Sequence, residues 1–480
     1  MNTFKKKSLY AAVASIGTLG FAGAVQAVNV NADGLGQALI YPYFTTQSVG
    51  GTSAAYNSLL SVVNSTASAK AVKVRFIEGR ASQEVLDFNL FLSAKDVWTA
   101  AVIPFTDTAG NATAGVFTLD HSCTVPLVSS TAASPTPFVN FAYAGDGGGD
   151  GLDRTKEGYI EIIEMGVVTG TTAAGVTHVG GPGGSPTCKN IDDTTASANT
   201  VAPAGGLFGG ISLINVLAGV DISENAVALD NFRTTGTYDL PGSIKPDLRD
   251  VNPPVAVVFN GNAGVVSATG FAQNVDAVSA LFMVNHVYNE FVLDAATASR
   301  TDWVLTMPTK RYYFNADGSV NYLFQRNFVT NSCDDVGLTI YDREEFTKTT
   351  PQGFSPPPPP GKVAGLCWEA NVLTFQNPSL LGSANSLTAL TDLPNGWADL
   401  LIPSVTKFDG AFAHYLPASA ITTIPLTGGA TTAPGTFIGL PIIGFQAQSF
   451  TNGNLNNNGT LVQANYAASF VHRFTRSIIP

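Results

Sequence analysis

Charge is scarce in this chain. Asp, Glu, Lys and Arg make up 12% of 480 residues, against roughly 25% in ordinary soluble domains. The balance is acidic, with 24 Lys+Arg, 35 Asp+Glu and a formal charge of −11, which argues against binding nucleic acid or an anionic membrane through a basic surface. Histidine is almost as rare. His121, His178, His286, His414 and His472 stand far apart with no ligand spacing between them. No GxSxG elbow, Walker loop or HExxH motif occurs, and no repeat of fixed period. Gly34-x-Gly36 is not a dinucleotide loop, because no strand precedes it. After the first two dozen residues no apolar run reaches the ~20 residues of a spanning helix.

The first 27 residues set the compartment. Lys5-Lys6-Lys7, an apolar stretch from Leu9 to about Ala24 and Val25-Gln26-Ala27 reproduce the three parts of a secretory leader. Cleavage is expected after Ala27, and loss of the three lysines leaves the remaining chain still more acidic. The expected location is extracellular or at the cell surface, with the periplasm as the other exported site. The four cysteines, Cys123, Cys188, Cys333 and Cys367, fit an oxidising compartment. Wide spacing without CxxC argues against zinc. Of three pairings, Cys123–Cys188 and Cys333–Cys367 are expected, since each closes one low-complexity excursion, and each is worth about 3–4 kcal/mol on a chain-entropy model.

Strand patterning dominates what remains. In residues 71–92, Val72, Val74 and Phe76 alternate with Lys73 and Arg75. A second alternating run of Leu86, Phe88, Leu90 and Leu92 follows Gly79-Arg80-Ala81-Ser82. Period two across a Gly-containing turn predicts a β-hairpin with one buried face. Further strands are expected over 38–45, 58–64, 97–105, 115–120, 138–143 and 157–168. The fold class is therefore all-β and mainly antiparallel, with β-sandwich-like units, long Gly/Pro-rich loops and one or two short helices. Residues 275–291 are the best helix candidate, with Asp276 as N-cap, and 221–232 a shorter one. Residues 169–206, rich in Gly, Thr, Ala and Pro, read as a long loop or linker. The expected division is a leader over 1–27, an N-terminal β-sandwich-like domain over 28–200 and a C-terminal β-rich domain over 201–480.

Four groups of residues are candidates for function. Pro42 confines the strand containing Leu39, Ile40, Tyr41, Tyr43 and Phe44 to an edge or a bulge, and at an edge it is an assembly strand. Asp146, Asp150, Asp153 and Glu157 on a Gly-rich loop supply the hard oxygens that Ca²⁺ takes, the one cofactor suggested, although a solvated acidic turn explains them too. Trp303, Lys310 and Tyr312, with Asp302 nearby, are a candidate ligand platform on which a sugar ring could stack; a core Trp303 and a turn-capping Asp302 are the structural alternative. Glu157, Glu161 and Glu164 are the carboxylates from which a glycosidase pair could be drawn. The run 356–360 is a stiff polyproline spacer, and Asn315-Ala316-Asp317-Gly318 marks a hairpin turn.

The block TDWVLTMPTKR (301–311), with Asn289-Glu290 upstream, resembles a motif of uncharacterised exported proteobacterial proteins. LIYPYFT near the start and NYAASFVHRFTR near the end are similar to parts of the same group. The resemblance implies export and one continuous unit, and brings no activity. The reading that follows is an exported, non-enzymatic structural or adhesive β-protein of the cell surface or extracellular space, without catalytic residues and with self-association or cell-surface partners. The alternatives are a secreted carbohydrate-binding or carbohydrate-hydrolysing protein and an outer-membrane β-barrel.

Overall fold

The alternating segments become strands that pair almost wholly antiparallel. The structure is a computed structural model describing residues 26–51, 54–181, 183–261, 264–314, 323–325, 333–347, 354–355, 365–389, 391–406, 412–425, 429–457 and 459–479. Most of the expected leader, the turn at 315–318 and the proline run 356–360 lie outside the described residues.

The N-terminal strands are β1 (Ala38–Thr45), β2 (Asn57–Asn64), β3 (Lys70–Glu78), β4 (Glu84–Leu92), β5 (Val97–Thr106), β6 (Ala112–Phe117), β7 (Glu157–Val168), β8 (Leu207–Asn215), β9 (Val220–Asn225) and β10 (Val227–Asp230). Two short helices, α1 (Gly170–Val176) and α2 (Asp193–Ala198), interrupt the stretch expected as a plain loop. An eight-stranded sheet runs β10–β1–β7–β3–β4 through its centre, and a six-stranded sheet runs β9–β8–β2–β5–β6. They pack face to face over Leu39, Tyr41, Leu60, Val62, Val74, Phe88, Trp98 and Ile160.

The C-terminal part supplies α3 (Val275–Phe282), β11 (His286–Val292), β12 (Arg300–Thr306), β13 (Gly337–Tyr341), β14 (Ala370–Thr374), β15 (Asn395–Leu401), β16 (Ile443–Asn457) and β17 (Thr460–Val471). A six-stranded sheet is centred on β14–β12–β16–β17, and a four-stranded one on β13–β15–β11. A five-stranded sheet contains Val265–Thr269, Tyr415–Ile424 and Thr431–Ile438. One neighbour pair, β14 with Ser386–Ala389, is parallel.

The C-terminal part covers the second face of the eight-stranded sheet. Ala38, Ile40, Tyr159 and Ile163 face a core shared with α3, Trp303, Leu305 and Phe375. Their chain neighbours Leu39, Tyr41, Ile160 and Ile162 face the first core. Period two therefore sends successive apolar residues into two different cores, as expected of a sheet covered on both sides.

Several sequence expectations change for this reason. The 71–92 hairpin forms, with Lys70 opposite Leu92 and Arg75 opposite Asp87, but β3 is buried along its whole length instead of on one face. Its cations are neutralised within the protein. Lys70 pairs with Glu164 at 2.6 Å, Lys73 with Asp87 at 2.9 Å, and Arg75 with Glu84 and Glu161 at 2.6 and 2.7 Å. Strand β1 is not an edge strand. It lies between β10 and β7, and Leu39, Ile40, Tyr41, Tyr43 and Phe44 are fully buried, so none is available for assembly. Pro42 sits where the β1–β7 register slips by one residue, the bulge that was the other option for it. Gly158 faces this slip, and a Cβ there would lie 1.9 Å from the Ile77 carbonyl oxygen.

Residues 221–232 hold strands β9 and β10 in place of a helix, because both are needed to finish the two N-terminal sheets. Those pairings, and that of β8 with β2, carry both sheets past residue 200, so a domain cut there would divide them. Residues 138–143 are irregular, and the short strand lies at Thr136–Pro137. The helix at 275 stops at Phe282 and gives way to strand. Its N-cap is Asn274, while Asp276 sits in the first turn and accepts from the Gln273 amide at 3.0 Å. Both expected disulfides form, Cys123–Cys188 and Cys333–Cys367.

Candidate functional site

A broad concavity lies across the outer face of the six-stranded N-terminal sheet. Strand alternation turns Leu60, Val62, Ile211, Leu213 and Ile222 inward and so leaves their neighbours outward. Two adjacent rows of outward residues form the floor. In one, Ser223, Ser212, Leu59 and Ala101 stand side by side. In the next, Asn225, Gly210, Ser61 and Thr99 do so. Leu59 and Asn225 apart, these side chains are small, so the floor is low. Phe117 and Leu119 close one end, and Ser469 and Val471 of β17 wall the other, giving a groove of about 830 Å³. That lies within the roughly 300–1,000 Å³ of ligand sites. From β9 to β6 the groove crosses four strand spacings, roughly 19 Å at about 4.8 Å each.

The polar groups of this groove are nearly all neutral. Ser212 and Ser223 share a hydrogen bond of 2.6 Å, and Ser469 donates to the Ser223 carbonyl at 2.5 Å. Glu224 is the sole titratable residue in the lining. Partial burial raises its carboxyl above the usual range, and the Ser469 hydroxyl draws it partway back. Apolar rims stand beside the hydroxyls, with Leu59 at 42% and Val471 at 58% exposure. The neighbouring Gly209 has no room for a side chain, since a Cβ would lie 2.1 Å from the Ser61 carbonyl oxygen and 2.3 Å from the Tyr41 hydroxyl. The β17 wall is held to β9 and its preceding turn by side chains. Besides Ser469, Asn465 donates to the Ala218 carbonyl at 2.5 Å.

The residues singled out from sequence lie elsewhere. Trp303 is fully buried against Phe375 and His472, and its indole N–H reaches the Glu290 carbonyl at 3.4 Å. Lys310 is equally buried, 3.0 Å from Asp334. Tyr312 is covered by the guanidinium groups of Arg249 and Arg311. Trp303 and Lys310 belong to the interior and Tyr312 is half-buried, so the three form no open platform. Asp302 holds a turn, accepting from the Ser379 hydroxyl at 2.5 Å and the Leu381 amide at 2.9 Å.

The four suggested Ca²⁺ ligands do not converge. Asp146 is bound to Arg154 at 2.7 Å, Asp153 faces Arg80 at 3.6 Å, and Asp150 is exposed. Glu157 is buried and accepts from the Tyr43 and Ser383 hydroxyls, each at 2.6 Å. Their oxygens are thus already engaged by cations and hydroxyls of the protein or point apart. Among the described residues no group of three or more His, Cys, Asp or Glu is placed to hold a metal. Glu161 and Glu164 are taken by Arg75 and Lys70, and neither lines the groove.

Sequence reasoning missed the groove. Its signal is the small polar residues at alternate positions of SLLSVVN and GGISLIN, which any solvent-facing strand also carries. No protein-family model matches this chain, and no curated protein and no solved structure is similar to it. Among the described residues no helix is long and apolar enough to cross a membrane. The two disulfides fit an oxidising compartment.

Proposed function

We propose that this is an exported, non-enzymatic binding protein of the cell surface or extracellular space that holds a neutral, extended glycan in the groove of the six-stranded sheet. The observation that carries the reading is the floor of Ser61, Thr99, Gly210, Ser212 and Ser223 running across the strands beside apolar Leu59 and Phe117. Hydroxyls match the donors and acceptors of a sugar, and apolar rims match the C–H faces of its ring. An occupant lying across the strands cannot add to the sheet as a β-strand, which disfavours a peptide. A single carboxylate, Glu224, falls short of the pair that glycoside hydrolysis uses, so binding without cleavage is favoured over hydrolysis. Among the described residues the sheets are open, whereas a membrane-spanning sheet has to close on itself, so the barrel reading gains no support. The leader-like start and the disulfides support export.

Titration calorimetry against neutral oligosaccharides of increasing length is the test. Affinity should rise with length until the groove is full, and Ser212→Trp or Ser61→Trp should abolish it while leaving the melting temperature within a few degrees. Absence of binding to every neutral glycan tried, or binding indifferent to both substitutions, overturns the reading.

A further inference from the structure

We propose that Lys310 and Asp334 condense into an intramolecular amide bond, with Glu369 as the acid that assists the reaction. This inference is independent of the groove. The Lys310 ammonium lies 3.0 Å from Asp334 Oδ2, and neither side chain reaches solvent. The carboxyl is fixed from its other oxygen, Oδ1, which accepts from the Gln325 amide at 2.7 Å and contacts His414 Nε2 at 3.2 Å. The amine is fixed by the turn Lys310–Tyr313, by the Leu366 carbonyl at 3.4 Å and by the Phe324 ring, 5.5 Å from Nζ. A nucleophile and an electrophile held at this separation without water have a large effective concentration.

Glu369 completes the group. The Met307 amide donates to its carbonyl at 2.7 Å, which sets it beside the Lys310 turn. Its side chain is fully buried, with neither carboxyl oxygen in a hydrogen bond of ordinary geometry and the Ser82 hydroxyl the one hydrogen-bonding group that draws on it. Burial pushes this carboxyl well up, and Lys310 is the charge that most opposes the rise. This burial favours the protonated form of the carboxyl. Desolvated ion pairs are costly, and amide formation removes two buried charges at once.

The step balances without a cofactor. The reaction starts from the contact at 3.0 Å, where Lys310 and His414 hold the Asp334 carboxyl below its usual range against the effect of burial. Lys310 first passes a proton to Asp334, giving a neutral amine and a neutral acid. The amine nitrogen attacks Cγ of Asp334 and a C–N bond forms. Glu369 hydrogen-bonds the carbonyl oxygen and relays the proton from nitrogen to the departing hydroxyl. The C–O bond breaks and one water leaves, with no change in oxidation state.

Intact-mass spectrometry of the full exported chain, after reduction and alkylation of the two disulfides, decides the matter. The expected mass is one water lower than that of the leader-cleaved, fully alkylated chain, and digestion should yield a branched species joining the peptides of Lys310 and Asp334. Lys310→Arg keeps the charge without the nucleophile and should abolish the water loss, as should Glu369→Gln. A wild-type mass equal to that of the leader-cleaved, fully alkylated chain, with the two peptides recovered separately, overturns the proposal. Water loss that persists in Lys310→Arg overturns the assignment to this pair, and water loss that persists in Glu369→Gln overturns the role of Glu369.

Discussion

Arg154 and Glu78 meet at 2.7 Å with neither side chain exposed to solvent. Arg154 also lies over the Tyr143 ring, 3.9 Å from its centre. Glu78 caps the tight turn of the central hairpin, accepting from the amides of Arg80, Ala81 and Gln83 at 2.7–3.0 Å. The pair thus ties the acidic Gly-rich loop to the turn of the most buried hairpin. Removing one member leaves the other charged and dry, so Arg154→Ala should cost about 3–5 kcal/mol. The denaturant midpoint reports this, and a loss below about 1 kcal/mol, the level of an exposed pair, would contradict the burial argument.

The pH dependence is expected to run opposite to ordinary acid unfolding. Burial raises the Glu161 carboxyl from 4.5 to about 7, with Arg75 opposing, and Glu157, Asp302 and Glu369 are raised by burial too. An acid whose folded pKa exceeds its unfolded value contributes stability that is complete below the unfolded value and is lost as pH rises through the folded one. For Glu161 that window is 4.5 to 7. His472 works the other way, because burial lowers it from 6.5 to about 4. The difference between wild type and Glu161→Gln isolates the carboxylate. Melting curves should show the wild type gaining stability relative to the variant between pH 7.5 and 5, and a relative loss would refute the assignment.

The Cys123–Cys188 bond closes 65 residues of sequence, including α1. Beneath it lies a small separate core of Ala71, Phe91, Met165 and Val176. Replacing both cysteines with serine should lower stability by about 2–4 kcal/mol, and limited proteolysis should then begin within 170–200. Unchanged stability and cleavage sites would mean that this core holds the segment without the bridge.

At Gly158 a methyl group has nowhere to go, since its nearest neighbour would be backbone oxygen at 1.9 Å. Gly158→Ala should cost about 1–3 kcal/mol through overpacking. It should also shift the amide signals of Ile77 and Glu78. A neutral effect with unshifted amides would contradict the close approach of β7 to β3 at this point.

Period two made the strands legible, and β1 and β7 fall on their expected bounds. Cysteine spacing made the bridges legible as well. The second covering layer was not legible, because Lys73 and Arg75 alternate just as solvent-facing residues do. Only the arrival of Glu161, nearly ninety positions later in sequence, tells a buried cation from an exposed one. Trp303 stands in a patch rich in polar residues, which left a stacking platform open beside the core reading, and the covering of both faces of its strand bears out the core. The groove was hidden for the opposite reason, since Ser61 and Ser212 are what any exposed strand carries.

The alternation of Trp303 and Leu305 into one core and Val304 into the other bears on how this molecule can be inherited. A gene segment encoding either half would yield a sheet with one greasy face bare. Such a piece cannot be shuffled into a new protein as a self-sufficient cassette. The chain is transmissible as a whole, and its descendants are expected to vary in loops and in the outward residues of the six-stranded sheet while keeping both halves together.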